Sequence, residues 1–229
     1  MKLIQRHGYI EFLRRNRERS IIKVVSGIRR CGKSTLFRLF KDELLAEGVK
    51  PEQIISINFE ELEYEPLREY HALYQYILNQ MQPNQMNYIF LDEIQHVDQF
   101  HRVVDSLFVK ENTDIYITGS NAYFMSSDIA TLLTGRYVEI QMLPLSFAEF
   151  YFSKYEEQQY SLIPAYEAYL RESSFPYTQQ LGGEDFDIQE YLRGLFNTLL
   201  LHDVVARLKI NDVMILQDIV RYIMANVGS

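Results

Sequence analysis

Residues 24–36, VVSGIRRCGKSTL, constrain the fold more than any other stretch of the chain. Gly27-Ile28-Arg29-Arg30-Cys31-Gly32-Lys33-Ser34 fits the pattern G-x-x-x-x-G-K-[ST] without a mismatch. The apolar run IIKVV precedes it, and STLFRLFKDELL after it has helical spacing. A strand that turns through such a loop into a helix is the opening unit of a parallel sheet covered by helices. Each residue type in the loop has its own reason. Gly27 and Gly32 permit backbone conformations and close approaches that a Cβ would block. Successive N–H groups then point inward, forming an anion nest at a helix N-terminus. Lys33 supplies a point charge for β- and γ-phosphates, and Ser34 a hydroxyl for Mg2+. The expected binding set is Gly27, Ile28, Arg29, Arg30, Cys31, Gly32, Lys33, Ser34 and Thr35, and the expected ligands are ATP or ADP with Mg2+. Because backbone binds the phosphate, Arg29 and Arg30 are free to face an acidic neighbour, a partner subunit or solvent. Cys31 reads as a small apolar filler whose alkylation would hinder binding.

Further apolar runs follow at 54–59 (IISINF), 88–91 (YIFL), 114–118 (DIYIT) and 137–142 (YVEIQM). With 21–25 they make five strand candidates, nearly continuous in apolar residues, as strands buried on both faces are. Between them the period becomes helical. Leu67, Tyr70, Leu73, Tyr74, Ile77, Leu78 and Met81 share one helix face, as do Val97, Phe100, Val103, Val104, Leu107 and Phe108. These aromatic residues are expected in a core, not on a base-stacking platform. The reading is an α/β domain over residues 1–145, followed by a small helical domain over 146–229 with helices at 187–209 and 212–226. RESSFPYTQQLGGEDFD lies between as loop. The abrupt ending IMANVGS suggests a piece of a longer protein.

YIFLDEIQ places Asp92 and Glu93 at the end of a strand. Asp92 is expected to hold Mg2+ through water, and Glu93 to orient or deprotonate the attacking water. Kinases of small molecules must exclude water, so an adjacent Asp-Glu favours hydrolysis over transfer. The competing account is a helix N-terminus enriched in acids for electrostatic reasons. The extra strand 54–59 between the loop and Asp92 is similar to the additional-strand division of phosphate-loop ATPases. YITGSNA ends the fourth strand, so Thr118, Ser120 and Asn121 are candidates to sense the γ-phosphate. Asn58 is a candidate to hold Glu93 away from water until a partner arrives. Either could equally serve as a cap or turn residue. Arg136, the only arginine between residues 103 and 170, is a candidate finger for a neighbouring subunit's γ-phosphate, worth ~10³–10⁵ in rate where it operates. An internal salt bridge is the alternative.

Charge narrows the partners. Residues 1–50 hold 13 Lys and Arg against 5 Asp and Glu, and the remaining 179 hold 10 against 26. The net charge of −8 therefore conceals a basic N-terminal segment expected to attract polyanions. RRNRERS is either a nucleic-acid contact or a solvated helix face. The acidic remainder argues against coating DNA over the whole surface. No apolar run approaches the ~20 residues of a membrane span, and the N-terminus lacks the apolar stretch of a secretory signal. A single cysteine forms no internal disulfide, so a reducing cytoplasm is the expected setting. The five histidines are scattered and offer no metal set.

GIRRCGKSTL, YIFLDEIQ, ITGSNAYFMSSDIATLLTGR and LPLSFAEF together resemble the uncharacterised prokaryotic ATPases of the AAA+ superfamily, which usually carry a C-terminal domain of unknown function. The resemblance covers nearly the whole chain. It implies a phosphate-loop NTPase with five parallel strands in the order 5-1-4-3-2, a helical lid, ATP with Mg2+, and a homo-oligomer in which Arg136 acts in trans. Relatives carry a Gly-Gly-x-Pro turn in the lid, where this chain has Ser173-Ser174-Phe175-Pro176. Pro176 is thus a candidate contact to the base, in a loop without glycine's freedom. The chain also ends where such relatives continue.

The leading functional expectation is Mg-dependent ATP hydrolysis coupled to lid movement or assembly. A nucleotide-holding switch with negligible turnover, a nucleic-acid loader using residues 14–19, and a small-molecule kinase are the alternatives. Glu93→Gln would leave a pure switch unchanged, DNA would stimulate a loader, and an added acceptor would take phosphate from a kinase.

Overall fold

The computed structural model describes residues 4–120, 133, 135–155, 160–181, 185–199, 205 and 213–227. The chain divides into two compact units, Met1–Gln179 and Gln180–Ser229. In the first unit the order is α1 (His7–Asn16), β1 (Ile22–Gly27), α2 (Lys33–Ala46), β2 (Ile54–Asn58), α3 (Tyr70–Gln80), β3 (Asn87–Asp92), α4 (Phe100–Phe108), β4 (Thr113–Ser120) and β5 (Tyr137–Met142). Helices α5 (Phe147–Tyr155) and α6 (Leu162–Glu172) complete it. All neighbouring strands are parallel, in the order β2-β3-β4-β1-β5. Read from the other edge this is 5-1-4-3-2. Strand β1 runs two residues past its apolar run because Ser26 and Gly27 pair with Gly119 and Ser120 on one side and Gln141 and Met142 on the other.

The core follows from the two-residue period of a strand. Val24, Ile57, Ile89, Leu91, Ile115 and Ile117 point to the face covered by Leu73 and Ile77 of α3 and Val103, Val104 and Leu107 of α4. Val25, Tyr88, Phe90 and Tyr116 point to the other, under Leu13 of α1 and Leu36, Phe37, Phe40 and Leu44 of α2. Phe90 and Tyr116 stack at 4.7 Å between centroids, with Phe37 edge-on to Phe90 at 5.2 Å. The aromatic residues of the 67–108 helices do face the core, as their period requires.

Helix α3 starts later than its apolar period. Glu69 caps it by accepting from the N–H groups of His71 at 3.0 Å and Ala72 at 2.8 Å, and the 3-10 turn Leu62–Arg68 upstream contains Pro66. Lys23, inside the apolar run of β1, is fully buried and pairs with Asp114. Asp114 also accepts from the Tyr116 hydroxyl at 2.6 Å and the Glu18 amide at 2.8 Å. A buried pair is tolerated when its remaining bonds are filled in this way.

α5 and α6 group with the sheet in the first unit, so the compact unit runs beyond residue 145 to Gln179. The second unit contains α7 (Asp185–Thr198) and α8 (Val213–Ala225). α8 lies within the 212–226 pattern, and α7 begins two residues before the 187–209 pattern, most of whose remaining residues fall outside the described ones. No helix among the described residues is long and apolar enough to cross a membrane.

Candidate functional site

Parallel pairing brings the strand ends together. Gly27 stands beside Ser120 and Met142, and Asn58 beside Asp92. Strand β1 lies between β4 and β5; its crossover leaves toward β2 while that of β4 leaves the opposite way to β5, so the ends of β1 and β4 flank the switch point where open α/β sheets bind ligands. The loop from Gly27 to Lys33 lies at that point. A Cβ on Gly27 would stand 2.5 Å from the carbonyl oxygen of Met142, so only glycine fits. Gly32 takes φ +107°, open to glycine, and Arg30 takes φ 64°. Leu36 donates to the Gly32 carbonyl at 2.9 Å, so the amides of Lys33, Ser34 and Thr35 form the first turn of α2, where a helix leaves its N–H groups available to anions.

Three charged groups meet there, all buried. Lys33 Nζ donates to the Gly27 carbonyl at 3.1 Å and lies 3.1 Å from Glu93 Oε1. Thr118 fixes the acidic pair from β4: its hydroxyl donates to Asp92 Oδ1 and accepts from the Glu93 amide at 2.9 Å. Glu93 itself adopts φ +54°, a left-handed conformation uncommon for a non-glycine residue and typical of functional turns. Its second oxygen accepts from Gln95 Nε2 at 2.5 Å. Ser34, like Thr118, helps to hold the Asp92 carboxyl down, which joins the two residues expected at Mg2+.

Electrostatics separates the two acids. Burial pushes the Asp92 carboxyl up, reinforced by the charge of Glu93; bonds from Ser34 and Thr118 and the charge of Lys33 only partly offset it. Burial also pushes Glu93 up, but the charge of Lys33, the Gln95 bond and the more distant Arg29 outweigh it and leave Glu93 below its ordinary value. Ser34 and Asp92 offer hard oxygen donors, suited to a magnesium ion that takes its other ligands from water and phosphate. No group of three His, Cys, Asp or Glu among the described residues could hold a metal without such help.

The other candidates divide. Arg29 lies 3.9 Å from Glu60, the acidic neighbour that the loop sequence left open. Cys31 is buried in the cluster under α2, and burial pushes its thiol up. Ser120 is buried at the end of β4, beside Gly27. Asn121 lies outside the described residues. Asn58 does not serve Glu93 here: its amide donates to Glu61 at 3.2 Å and its oxygen accepts from the Glu60 amide at 3.1 Å. Short polar side chains readily satisfy the turn that follows them. The side chain of Glu93 pairs with Lys33 and Gln95 instead, and its amide donates to Thr118. Pro176 Cγ is 3.9 Å from the position of a Cβ on Gly32, which sets the 173–176 turn against the loop. Ser173 carries φ +73°, in the turn for which the family resemblance implies glycine.

Arg136 sits at the opposite end of the sheet. Its carbonyl accepts from Ile22, the first residue of β1, at 2.9 Å, whereas the loop begins at Gly27. At ~3.3 Å per residue the strand separates these points by about 17 Å. The exposed guanidinium lies 5.6 Å from the centroid of Phe108. Arg136 is thus out of reach of its own loop.

The sequence gives little signal for Arg6. This buried side chain donates to the loop carbonyl of Cys31 at 3.3 Å, to Leu143 at 2.9 Å and to Glu149 at 2.6 Å. It ties the loop to the end of β5 and the start of α5 across 137 and 143 residues of chain.

A family model described as an AAA domain matches residues 19–151. An uncharacterised protein of Haemophilus influenzae is 38% identical over 229 residues, covering 99% of this chain and 56% of that protein. The uncharacterised protein MJ1544 of Methanocaldococcus jannaschii is 33% identical over 224 residues, covering 90% and 47%. The chain spans about half the length of the curated relatives it matches. Among solved structures, a Walker-type ATPase of Pyrococcus abyssi is similar in fold, with a TM-score of 0.55 at 18% identity, covering 86% of this chain and 73% of that one. A replication initiator DnaA bound to AMPPCP and single-stranded DNA gives 0.53 at 13%, covering 87% and 68%.

Proposed function

The chain belongs to the AAA domain family, and on that premise we propose that it is an Mg-dependent ATPase whose nucleotide state is coupled to lid movement or assembly. The observation that carries the reading is the convergence of Lys33, Ser34, Asp92 and Glu93 at one end of the sheet, at the N-terminus of α2. Loop amides 28–35 and Lys33 bind the phosphates. Ser34 and Asp92 would hold Mg2+, which supplies charge neutralisation at the β- and γ-phosphate oxygens. Glu93 takes the proton of the attacking water.

The Lys33–Glu93 contact orders these events. A carboxylate held by an ammonium at 3.1 Å is a weak base. Phosphate oxygens compete for Lys33, and drawing it away leaves Glu93 free for water. The 173–176 turn, with Pro176 against Gly32, gives α5 and α6 a contact through which to follow the nucleotide. Arg136 is assigned to the γ-phosphate of a neighbouring copy, since its own lies about a strand's length away. A nucleic-acid loader has less support: Arg14 pairs with Glu11 and Glu43, and Arg17 with Glu18 and Glu47.

The test is binding of a fluorescent, non-hydrolysable ATP analogue, with and without Mg2+, by wild type and Lys33→Ala. Wild type binds, more tightly with Mg2+, and Lys33→Ala loses at least ten-fold in affinity, as expected for removing a buried charge-assisted contact of ~1.5–3 kcal/mol. Equal binding by both proteins would remove the loop from the account.

A further inference from the structure

The residue after next to Glu93 carries an arrangement that the phosphate and metal contacts leave unused. Gln95 lies in the short turn Ile94–His96 that follows β3, with its side chain partly buried. Its Nε2 donates to Glu93 Oε2 at 2.5 Å, which fixes the amide's orientation because a carboxylate only accepts. The amide oxygen then points elsewhere. Oε1 of Gln95 is buried and accepts from no group among the described residues. A buried acceptor without a donor costs about 1–3 kcal/mol and calls for an explanation at a functional site. The left-handed backbone at Glu93, pinned by Thr118, sets the direction in which the chain delivers Gln95.

We infer that Gln95 positions the attacking water: its Nε2 steadies Glu93 and its Oε1 accepts one O–H of the water whose other O–H is given to Glu93. The inference rests on the hydrolytic reading of this site. With both hydrogens engaged, the water presents a lone pair to phosphorus. Its oxygen forms the new P–O bond as the bond from the γ-phosphorus to the β–γ bridging oxygen breaks, and ADP leaves with that electron pair. One water proton passes to Glu93 and then to solvent; the other stays on the phosphate. Nothing is oxidised or reduced. A carboxylate alone fixes one hydrogen of the water and leaves it free to rotate, whereas two acceptors fix both.

The test compares steady-state phosphate release by wild type, Glu93→Gln, Gln95→Leu and Gln95→His, with analogue affinity and thermal midpoint measured on each. Misplacing a reacting group by about 1 Å can cost 10²-fold. Gln95→Leu is accordingly expected to lower kcat about 10²-fold, with KM and analogue affinity within about two-fold of wild type. Gln95→His retains one donor and one acceptor in its neutral imidazole and is expected to recover a large part of the lost kcat. A Gln95→Leu enzyme with unchanged kcat would overturn the inference, as would a loss of affinity and thermal midpoint that parallels the loss of rate, since that pattern belongs to a structural role. Failure of the underlying reading looks different: there, wild type releases phosphate no faster than Glu93→Gln, and the role of Gln95 falls with it.

Discussion

Thr118 offers the sharpest stability prediction, because one buried hydroxyl serves both acids. It donates to Asp92 and accepts from the Glu93 amide at 2.9 Å, and the residue is fully buried. Thr118→Val keeps the shape and removes both bonds. A hydrogen bond to a charged group contributes roughly 1.5–3 kcal/mol and one to a neutral amide roughly 0.5–1.5. With little room for water to replace them, the variant should lose about 2–4 kcal/mol. Losses of this size are a large share of the ~5–15 kcal/mol that hold a domain together. Thr118→Ser, which keeps the hydroxyl, should lose only the methyl contribution, about 1 kcal/mol. Urea unfolding followed by far-ultraviolet circular dichroism measures both, provided the slope is unchanged. A Val variant within 0.5 kcal/mol of the Ser variant, an approximate margin set by the reproducibility of such extrapolations, would show that the hydroxyl does not hold the pair.

Other residues give further expectations. Ser173 at φ +73°, ψ 162° occupies a region that costs a non-glycine residue ~1–3 kcal/mol. Ser173→Gly should therefore raise stability by about 1 kcal/mol after glycine's greater unfolded-state entropy, and a drop in urea midpoint would refute the strain. Arg6→Met removes the donors to Cys31, Leu143 and Glu149; it should weaken ATP-analogue binding several-fold and lower the thermal midpoint, and binding equal to wild type would dissociate the loop from Arg6. Tyr88 should ionise late. Burial and its bond to Glu18 push its hydroxyl up to about 12, against the opposing charge of Arg17. Because the folded value lies above the unfolded one near 10, its contribution is complete below pH 10 and fades as pH rises towards 12. Absorbance titration of wild type against Tyr88→Phe, with urea midpoints at pH 9 and 11, follows both effects; a Tyr88 transition at pH 10 would contradict the burial argument.

How much of this was legible in the sequence depends on the distance over which each contact is encoded. The strands, their order as the family resemblance implies it, and the loop are read from short patterns, because strand burial and phosphate binding by backbone are local matters. Gly27 and Gly32 illustrate both kinds of glycine need, close approach to Met142 and a positive φ. The adjacent acids were visible too, since they end an apolar run. Arg6 was not: its partners lie 25 to 143 residues away and no periodicity links them. Asn58 went to its own turn because an acceptor two residues from a free amide wins over a partner on another strand. Gln95 stood in the quoted motif YIFLDEIQ, yet only the backbone twist at Glu93 shows where its amide goes. The arginines of RRNRERS read as a basic cluster, but two of them are spent on glutamates of α1, α2 and the turns after each.

The central claim is that Glu93 activates water against a nucleotide held by Lys33. The measurement that tests it most directly is phosphate release from Mg-ATP over a wide range of protein concentration, with Glu93→Gln and Arg136→Ala in parallel. The account predicts that Glu93→Gln binds ATP yet releases phosphate at least ~10²-fold more slowly. It also predicts that specific activity rises with wild-type concentration and that Arg136→Ala abolishes the rise. Equal rates in wild type and Glu93→Gln, with ATP bound by both, would contradict the account and leave a protein that holds nucleotide without consuming it.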